Sequence, residues 1–317
     1  MMSRVLVLIA ALCASAPALA QTRVATLKAG DEIREAFLSP RGDRIGACVG
    51  PDRIAIWSLP DGTLLQDVKL PQRPVSMLFA GHDQIVVAFA DGAIEVRAIA
   101  TWATVRRMEA GERQPVLAAS ADGRFLASSG TEQIRLWDSS GKLLHTFGHE
   151  FGSMSVLAFS PDGNLLVSAG YDAEVHFWDV STGQRKATLR DRLVSTFAMA
   201  FTGDGKNLVI GGADGAIEII NVAEASIARK FPAEKHALIN VSLSPDGQSI
   251  GAAYMDVDGM SRPAPVAVWA FASGQAVQRA TSTDTLPFAS AFTPDGRWQY
   301  VTAKRHELTV SVLAKSP

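Results

Sequence analysis

FSPDGNLLVSAGYDAEVHFWDVSTGQRKATL, residues Phe159–Leu189, decides how the chain is read. Pro161-Asp162-Gly163 is a turn sequence. It is followed by two short runs rich in branched and aromatic residues, Leu165–Ala169 and Glu174–Trp178, parted by Gly170-Tyr171-Asp172. Asp179 leads into a second turn, Ser181–Gly183, and a last run ends at Leu189. Runs this short between turn clusters predict antiparallel strands joined by hairpins. The rest of the chain varies this unit. Aligned on the turn residue, it recurs at Gly42, His82, Gly123, Gly163, Gly205, Gly247 and Gly296, at intervals of 40, 41, 40, 42, 42 and 49.

A period of about 40–45 residues with several strands per unit is the mark of a β-propeller. A second marker holds the same register. An apolar-x-apolar-x pattern follows each turn: Ile54–Trp57, Ile94–Arg97, Ile134–Trp137, Val175–Trp178, Ile217–Ile220, Val266–Trp269 and Leu308–Ser311. Alternation with period two suits strands with one face packed on the next blade. No stretch carries a long helical period. The expectation is an all-β propeller of seven units.

The chain divides into 1–20 and 21–317. Met1–Arg4 carries one positive charge, and Val5–Leu12 is apolar but far shorter than the ~20 residues of a spanning helix. Ala18-Leu19-Ala20 places small residues where a signal peptidase reads. The reading is a secretory signal peptide cut after Ala20, giving a periplasmic or secreted protein with no membrane span. Acylation of Cys13 is the minor alternative, against which Leu12 is a bulky neighbour. The whole chain has 30 Lys+Arg against 32 Asp+Glu, and cleavage removes only Arg4, leaving 29 against 32, a formal net charge of −3. That balance gives no electrostatic reason to expect nucleic acid or an anionic membrane as partner. Loss of Cys13 leaves Cys48 alone, so no intrachain disulfide can form. A chain of this length is held by its own core.

The fourth unit resembles a WD40 repeat. It carries Gly148-His149, then Ser160–Gly163, Ser168, Asp172 and Trp178-Asp179. Arg135–Asp138 (RLWD), with Ser128 before it, matches the same signature in the third unit. Elsewhere the signature is degenerate: Arg97, Ile220 and Ser311 stand where the tryptophan would. The resemblance covers the mature chain and implies an exported, bacterial-type seven-bladed propeller of the WD40-repeat family. It implies that His149, Ser168, Asp172 and Trp178 form one structural hydrogen-bonded network within a blade. It also implies a seven-bladed β-propeller of four-stranded antiparallel blades, in which the outer strand of each blade belongs to the following repeat. The last unit then lacks an outer strand, and Arg23–Lys28 (RVATLK) resembles Arg185–Arg190 (RKATLR) closely enough to supply it.

Catalytic signatures are absent: no HExxH, no GxSxG, no phosphate-binding glycine loop. The stretches read as channel-lining strands, such as Val75–Phe79, Phe197–Phe201 and Phe288–Phe292, carry small, apolar and hydroxyl side chains. Only Ile33–Phe37 (IREAF) brings charge, with Arg34 and Glu35, and Asn240 is the one amide. No catalytic residue, cofactor or metal is expected from this pattern. One stretch departs from the repeat. Gly247 to Trp269 spans 22 residues against 15 from Gly163 to Trp178, and the extra seven fall within Tyr254–Pro265. Met255, Asp256, Asp258, Met260 and Arg262 are the candidate partner contacts there. Trp102 reads either as an exposed contact or as packing on a neighbouring hairpin, and Trp298 as core. The function expected is a monomeric, non-catalytic scaffold that binds protein partners. The rival reading is an enzyme or small-ligand binder working at the channel mouth.

Overall fold

The computed structural model describes residues 21–111, 115–130, 133–148, 154–190, 194–255, 265–281 and 287–313. Among the described residues every regular element is a β-strand, 28 in all, arranged as seven sheets of four. β1 is Gln21–Lys28. Blades 1 to 6 then follow in chain order. The blade 1 strands are β2 Ile33–Leu38, β3 Arg44–Val49, β4 Arg53–Ser58 and β5 Leu64–Lys69. β6 Pro74–Ala80 to β9 Thr104–Glu109 form blade 2, and β10 Val116–Ala119 to β13 Leu143–Gly148 form blade 3. β14 Met154–Phe159 to β17 Arg185–Leu189 form blade 4, and β18 Thr196–Phe201 to β21 Ser226–Lys230 form blade 5. Blade 6 runs from β22 Ala237–Leu243 to β25 Ala276–Thr281. Blade 7 is β26 Pro287–Phe292, β27 Trp298–Lys304 and β28 Glu307–Leu313, completed by β1. The first strand of each blade packs on the first strand of the next, and β26 packs on β2, so the ring is closed.

The closing strand is the one the sequence pointed to. β1 pairs antiparallel with β28, Leu27 opposite Leu308 and Ala25 opposite Val310, with a bulge between Arg23 and Ala25. Closure leaves no open edge on β28, whose alternating apolar residues would otherwise invite another strand.

The apolar-x-apolar-Trp pattern has a direct packing cause. Successive side chains of a strand point to opposite faces. In β16 (Val175–Asp179), Val175 and Phe177 join Leu208, Ile210 and Ile220 of blade 5. Trp178 points the other way and packs with Leu136 and Phe147 of blade 3. Trp57, Trp137 and Trp269 likewise face the preceding blade, while the two apolar residues before each face the following one. Among the described residues the buried apolar side chains therefore fall into seven clusters, one in each seam between blades. Cys48 is buried in the seam of blades 1 and 2.

The turns at Gly163 and its counterparts fix where each blade begins its second strand. Gly163 takes a left-handed φ of 72°, which a side chain at that position resists. Ser160 accepts the Gly163 N–H at 2.9 Å through its carbonyl, and its hydroxyl donates to Asp162 Oδ1 at 2.6 Å. The same hydroxyl–carboxylate pair recurs as Ser120–Asp122, Thr202–Asp204, Ser244–Asp246 and Thr293–Asp295. Blades are also tied at their rims. Gln66 donates to the Ile99 carbonyl at 2.8 Å, Arg229 to those of Phe271 and Ala272 at 2.8 Å each, and Gln299 to that of Gly42 at 2.6 Å. Each bond crosses to the next blade, so neighbouring blades are held by side chain-to-backbone contacts as well as by apolar packing.

Candidate interaction surface

Within blade 4 the repeat residues meet as follows. The buried Trp178 indole N–H donates to Ser168 Oγ at 2.8 Å. β15 (Leu165–Gly170) brings Ser168 opposite His176, and Asp172 Oδ2 lies 3.8 Å from His176 Nε2. His176 Nδ1 contacts Thr188 Oγ1 at 3.1 Å. His149 lies outside the described residues. His176 is the residue that sequence reading passed over. It is two positions before Trp178 on one strand, so it shares the tryptophan's face, and the two rings are 5.8 Å apart. Blade 3 repeats the core of this arrangement, Trp137 donating to Ser128 at 3.2 Å.

Blades 2 and 5 fill the same position differently. Glu95 and Glu218 stand where His176 does and are buried. Glu95 accepts from Arg97 at 2.8 Å and from Arg107 at 3.0 Å; Glu218 accepts from Lys230 at 2.9 Å, and Lys230 also reaches Asp214 at 3.0 Å. Hydrogen bonds to Glu218 and Asp214 raise the Lys230 pKa above its ordinary value, and those to Glu109 and Glu95 raise that of Arg107. A buried carboxylate needs such a partner. Arg97 replaces the tryptophan and closes over Trp102, its guanidinium 5.5 Å from the ring. Trp102 itself packs on the seam of blades 1 and 2, which decides between the two readings of that residue in favour of packing. Trp298 is core, and its N–H reaches Ser242 Oγ of blade 6 at 2.9 Å.

The two mouths of the channel differ. At the end where the inner strands stop, a cavity of about 470 Å³ is lined by Phe79, Phe159 and Phe201, with Arg41 and His82 among its polar residues. Where the inner strands start, a cavity of about 520 Å³ lies between blades 1, 2 and 3. Arg34, Glu35 and Arg73 line it together with Cys48 and an apolar wall. Burial pushes the Glu35 carboxyl up to about 7, against the pull of Arg34, and the Cys48 thiol up to about 12. Asn240 belongs elsewhere. Its Oδ1 accepts from Ser290 at 2.6 Å, in a chain that runs on through Ser242 to Trp298. Sequence reading grouped Arg34, Glu35 and Asn240; the fold brings the first two to one cavity and places the third between blades 6 and 7.

Met255 ends β23 (Ser249–Met255), paired with Ala237 at the start of the inner strand. It therefore sits at the same end of the ring as Arg34. Asp256, Asp258, Met260 and Arg262 lie outside the described residues. No group of three or more potential metal ligands occurs among the described residues.

Seven four-stranded blades in a closed ring define a β-propeller. The family profile described as "WD domain, G-beta repeat" matches residues 141–179. The chain is 27% identical over 139 residues to the WD repeat-containing protein SL1-17 of Schistosoma mansoni, covering 43% of this chain and 46% of that protein. It is 30% identical over 132 residues to the WD repeat-containing protein WDS homolog of Arabidopsis thaliana, covering 40% and 25%. An uncharacterized WD repeat-containing protein of Synechocystis is 33% identical over 136 residues, covering 40% and 37%. Each match spans less than half of the relative's own length. The chain is a seven-bladed propeller that carries a WD40 repeat and is related to WD-repeat proteins.

Proposed function

We propose that this protein is an exported, non-catalytic scaffold that binds other proteins through one face of its ring and works as a monomer. The observation that carries the reading is the distribution of chemistry across the fold. The inner strands that line the channel bring only Arg34 and Glu35 as charged residues, from β2; apart from the amide Asn240 of β22 the others are apolar, small or hydroxyl-bearing. The buried charges of blades 2 and 5 are consumed by each other. What the ring offers is a stiff frame with many loops, which suits recognition. WD40 propellers generally serve as protein-interaction scaffolds, and the relatives are WD-repeat proteins.

The interacting face in this reading is the one at which Met255 ends β23. The seven extra residues follow Met255 in the sequence, between Tyr254 and Pro265, and Met255, Asp256, Asp258, Met260 and Arg262 are the proposed contacts. Methionine is an adaptable apolar contact and arginine a frequent anchor at interfaces. Export rests on residues 1–20. The proposed cut after Ala20 would leave β1 intact, so the strand that closes the ring stays with the mature chain. The test is capture of partners by the mature protein from its own envelope extract, with a heat-unfolded sample as control. Specific retention of a defined protein supports the scaffold. Retention by neither sample, together with turnover of a small substrate, overturns it. The intact mass of the exported protein tests the cut, which predicts Gln21 at the N-terminus.

A further inference from the structure

The channel mouth between blades 1, 2 and 3 combines features that the scaffold reading leaves unused. Its volume, about 520 Å³, falls within the ~300–1,000 Å³ of small-molecule sites. Phe37, Val75, Leu78, Val116 and Leu117 contribute its apolar wall. Arg34 is held in place by a hydrogen bond from Nη2 to the Pro74 carbonyl, 3.2 Å, its only hydrogen-bond partner among the described residues. The Nε of the same guanidinium is buried with no acceptor. Five donors in a rigid fork, with one partnered, form a group built to take a planar bidentate acceptor. Unsatisfied buried donors are rare enough in folded proteins that each calls for an explanation.

We propose that this mouth binds a carboxylate carried on an apolar body, with the Arg34 guanidinium as its ion-pairing group and Arg73 as a second cation at the edge. The shared chemistry is a monocarboxylate, whether a free organic acid or the C-terminal carboxylate of a peptide. Glu35 is the one acid lining the cavity. Near neutrality burial keeps much of its carboxyl protonated, so it leaves the Arg34 charge available and offers an O–H to the ligand. The groups facing Glu35 are few. Its own strand supplies Arg34, β3 the neutral Cys48 thiol opposite it, and the link before β6 supplies Arg73. Pro115, Val116 and Leu117 bring no charge, and the only charged residue of β26 and β27 is Lys304 at the end of β27. Ionisation of Glu35 as pH rises through about 7 places an anion beside the site and weakens it.

Calorimetric titration of the mature protein with benzoate, benzyl alcohol and benzylamine tests this, at about pH 6 and about pH 8. Benzoate is expected to bind saturably below about 10 mM near pH 6, and roughly tenfold more weakly near pH 8. The neutral and cationic analogues should not bind. Arg34→Gln should weaken benzoate at least tenfold, and Glu35→Gln should abolish the pH dependence of benzoate binding. If Arg34→Gln melts below the assay temperature, Arg34→Lys and Arg73→Gln replace it, and each should weaken binding with an unchanged melting curve. A short peptide with a free C-terminus, set against its C-terminal amide, separates the sources. Tighter binding than benzoate, lost in the amide, puts the carboxylate on a protein chain; weaker binding puts it on a free acid. No saturable benzoate binding near pH 6, benzylamine binding more tightly than benzoate, or equal binding of acid and amide would each overturn the proposal.

Discussion

Removal of Gln21–Lys28 should cost this protein far more than loss of a loose tail of the same length. In the closed ring Leu27 is buried, as are Leu308 and Val310 of β28, and all three sit in the core seam of blades 7 and 1 with Trp57 and Ile45. Truncating a buried leucine to alanine costs about 2–5 kcal/mol. Loss of the β1–β28 ladder adds about 0.5–1.5 kcal/mol for each net hydrogen bond. Together these approach the whole stability of an ordinary domain, about 5–15 kcal/mol. The deletion also bares β28 as an edge with Leu308, Val310 and Val312 along it, a template for strand addition. Size-exclusion chromatography with a thermal melt reads both effects. The deleted protein should oligomerise or precipitate, and a synthetic Gln21–Lys28 peptide should partly restore the monomer. The milder Leu27→Ala should stay monomeric and melt lower by roughly 4–10 °C, at close to 2 °C per kcal/mol for a chain this large. A deleted protein that remains monomeric with the parent's melting temperature would refute the closing role of β1.

Three further outcomes follow from the same geometry. Trp178→Ala should lower stability by about 3–5 kcal/mol in denaturant titration, because a buried ring is lost and Ser168 Oγ loses its donor; Ser168→Ala should cost about 1 kcal/mol, and an unchanged curve for the tryptophan variant would contradict the packing of blades 3 and 4. Turn hydrogen bonds hold the carboxyls of Asp122, Asp162, Asp204 and Asp295 below their usual range, Asp122 at about 2. A depressed folded-state pKa stabilises above the unfolded value of 3.8 and is lost as pH falls through the folded value. The melting temperature should therefore fall most steeply between those two values, and Asp122→Asn should flatten that part of the profile. Shortening Met255–Ala264 to an Asp-Gly turn, like Asp91-Gly92 or Asp214-Gly215, should leave stability within about 1 kcal/mol of the parent while lowering partner affinity; equal affinity would remove this hairpin from the interface.

The seven-fold architecture was legible because the turn chemistry and the strand alternation repeat together. Gly163 and its counterparts mark the first hairpin of each blade, and the residues after them alternate between two seams. The closing strand was legible because Arg23–Lys28 copies an outer strand. What stayed hidden is pairing between residues about forty positions apart or on opposite sides of one hairpin. Nothing in the sequence marks Glu95 and Glu218 as buried partners of Arg107 and Lys230, which the fold brings across from the outer strand. His176 could have been found from its place two residues before Trp178 on one face. Arg34, Glu35 and Arg73 come from two successive repeats and meet only because inner strands converge on the channel axis. Asn240 belonged to the channel strands by sequence, but its partner Ser290 lies one blade on, and a repeat alignment does not reveal which neighbour a side chain turns toward.

A photo-crosslinking amino acid placed at single sites of the full-length chain, in the cell that makes it, tests the scaffold most directly. Met255 lies at the end of the ring where the inner strands begin, and the exposed Lys206 lies in a turn at the opposite end. The account predicts a discrete protein adduct from position 255 and none from position 206. No adduct from either position, or an adduct from position 206 alone, would contradict it.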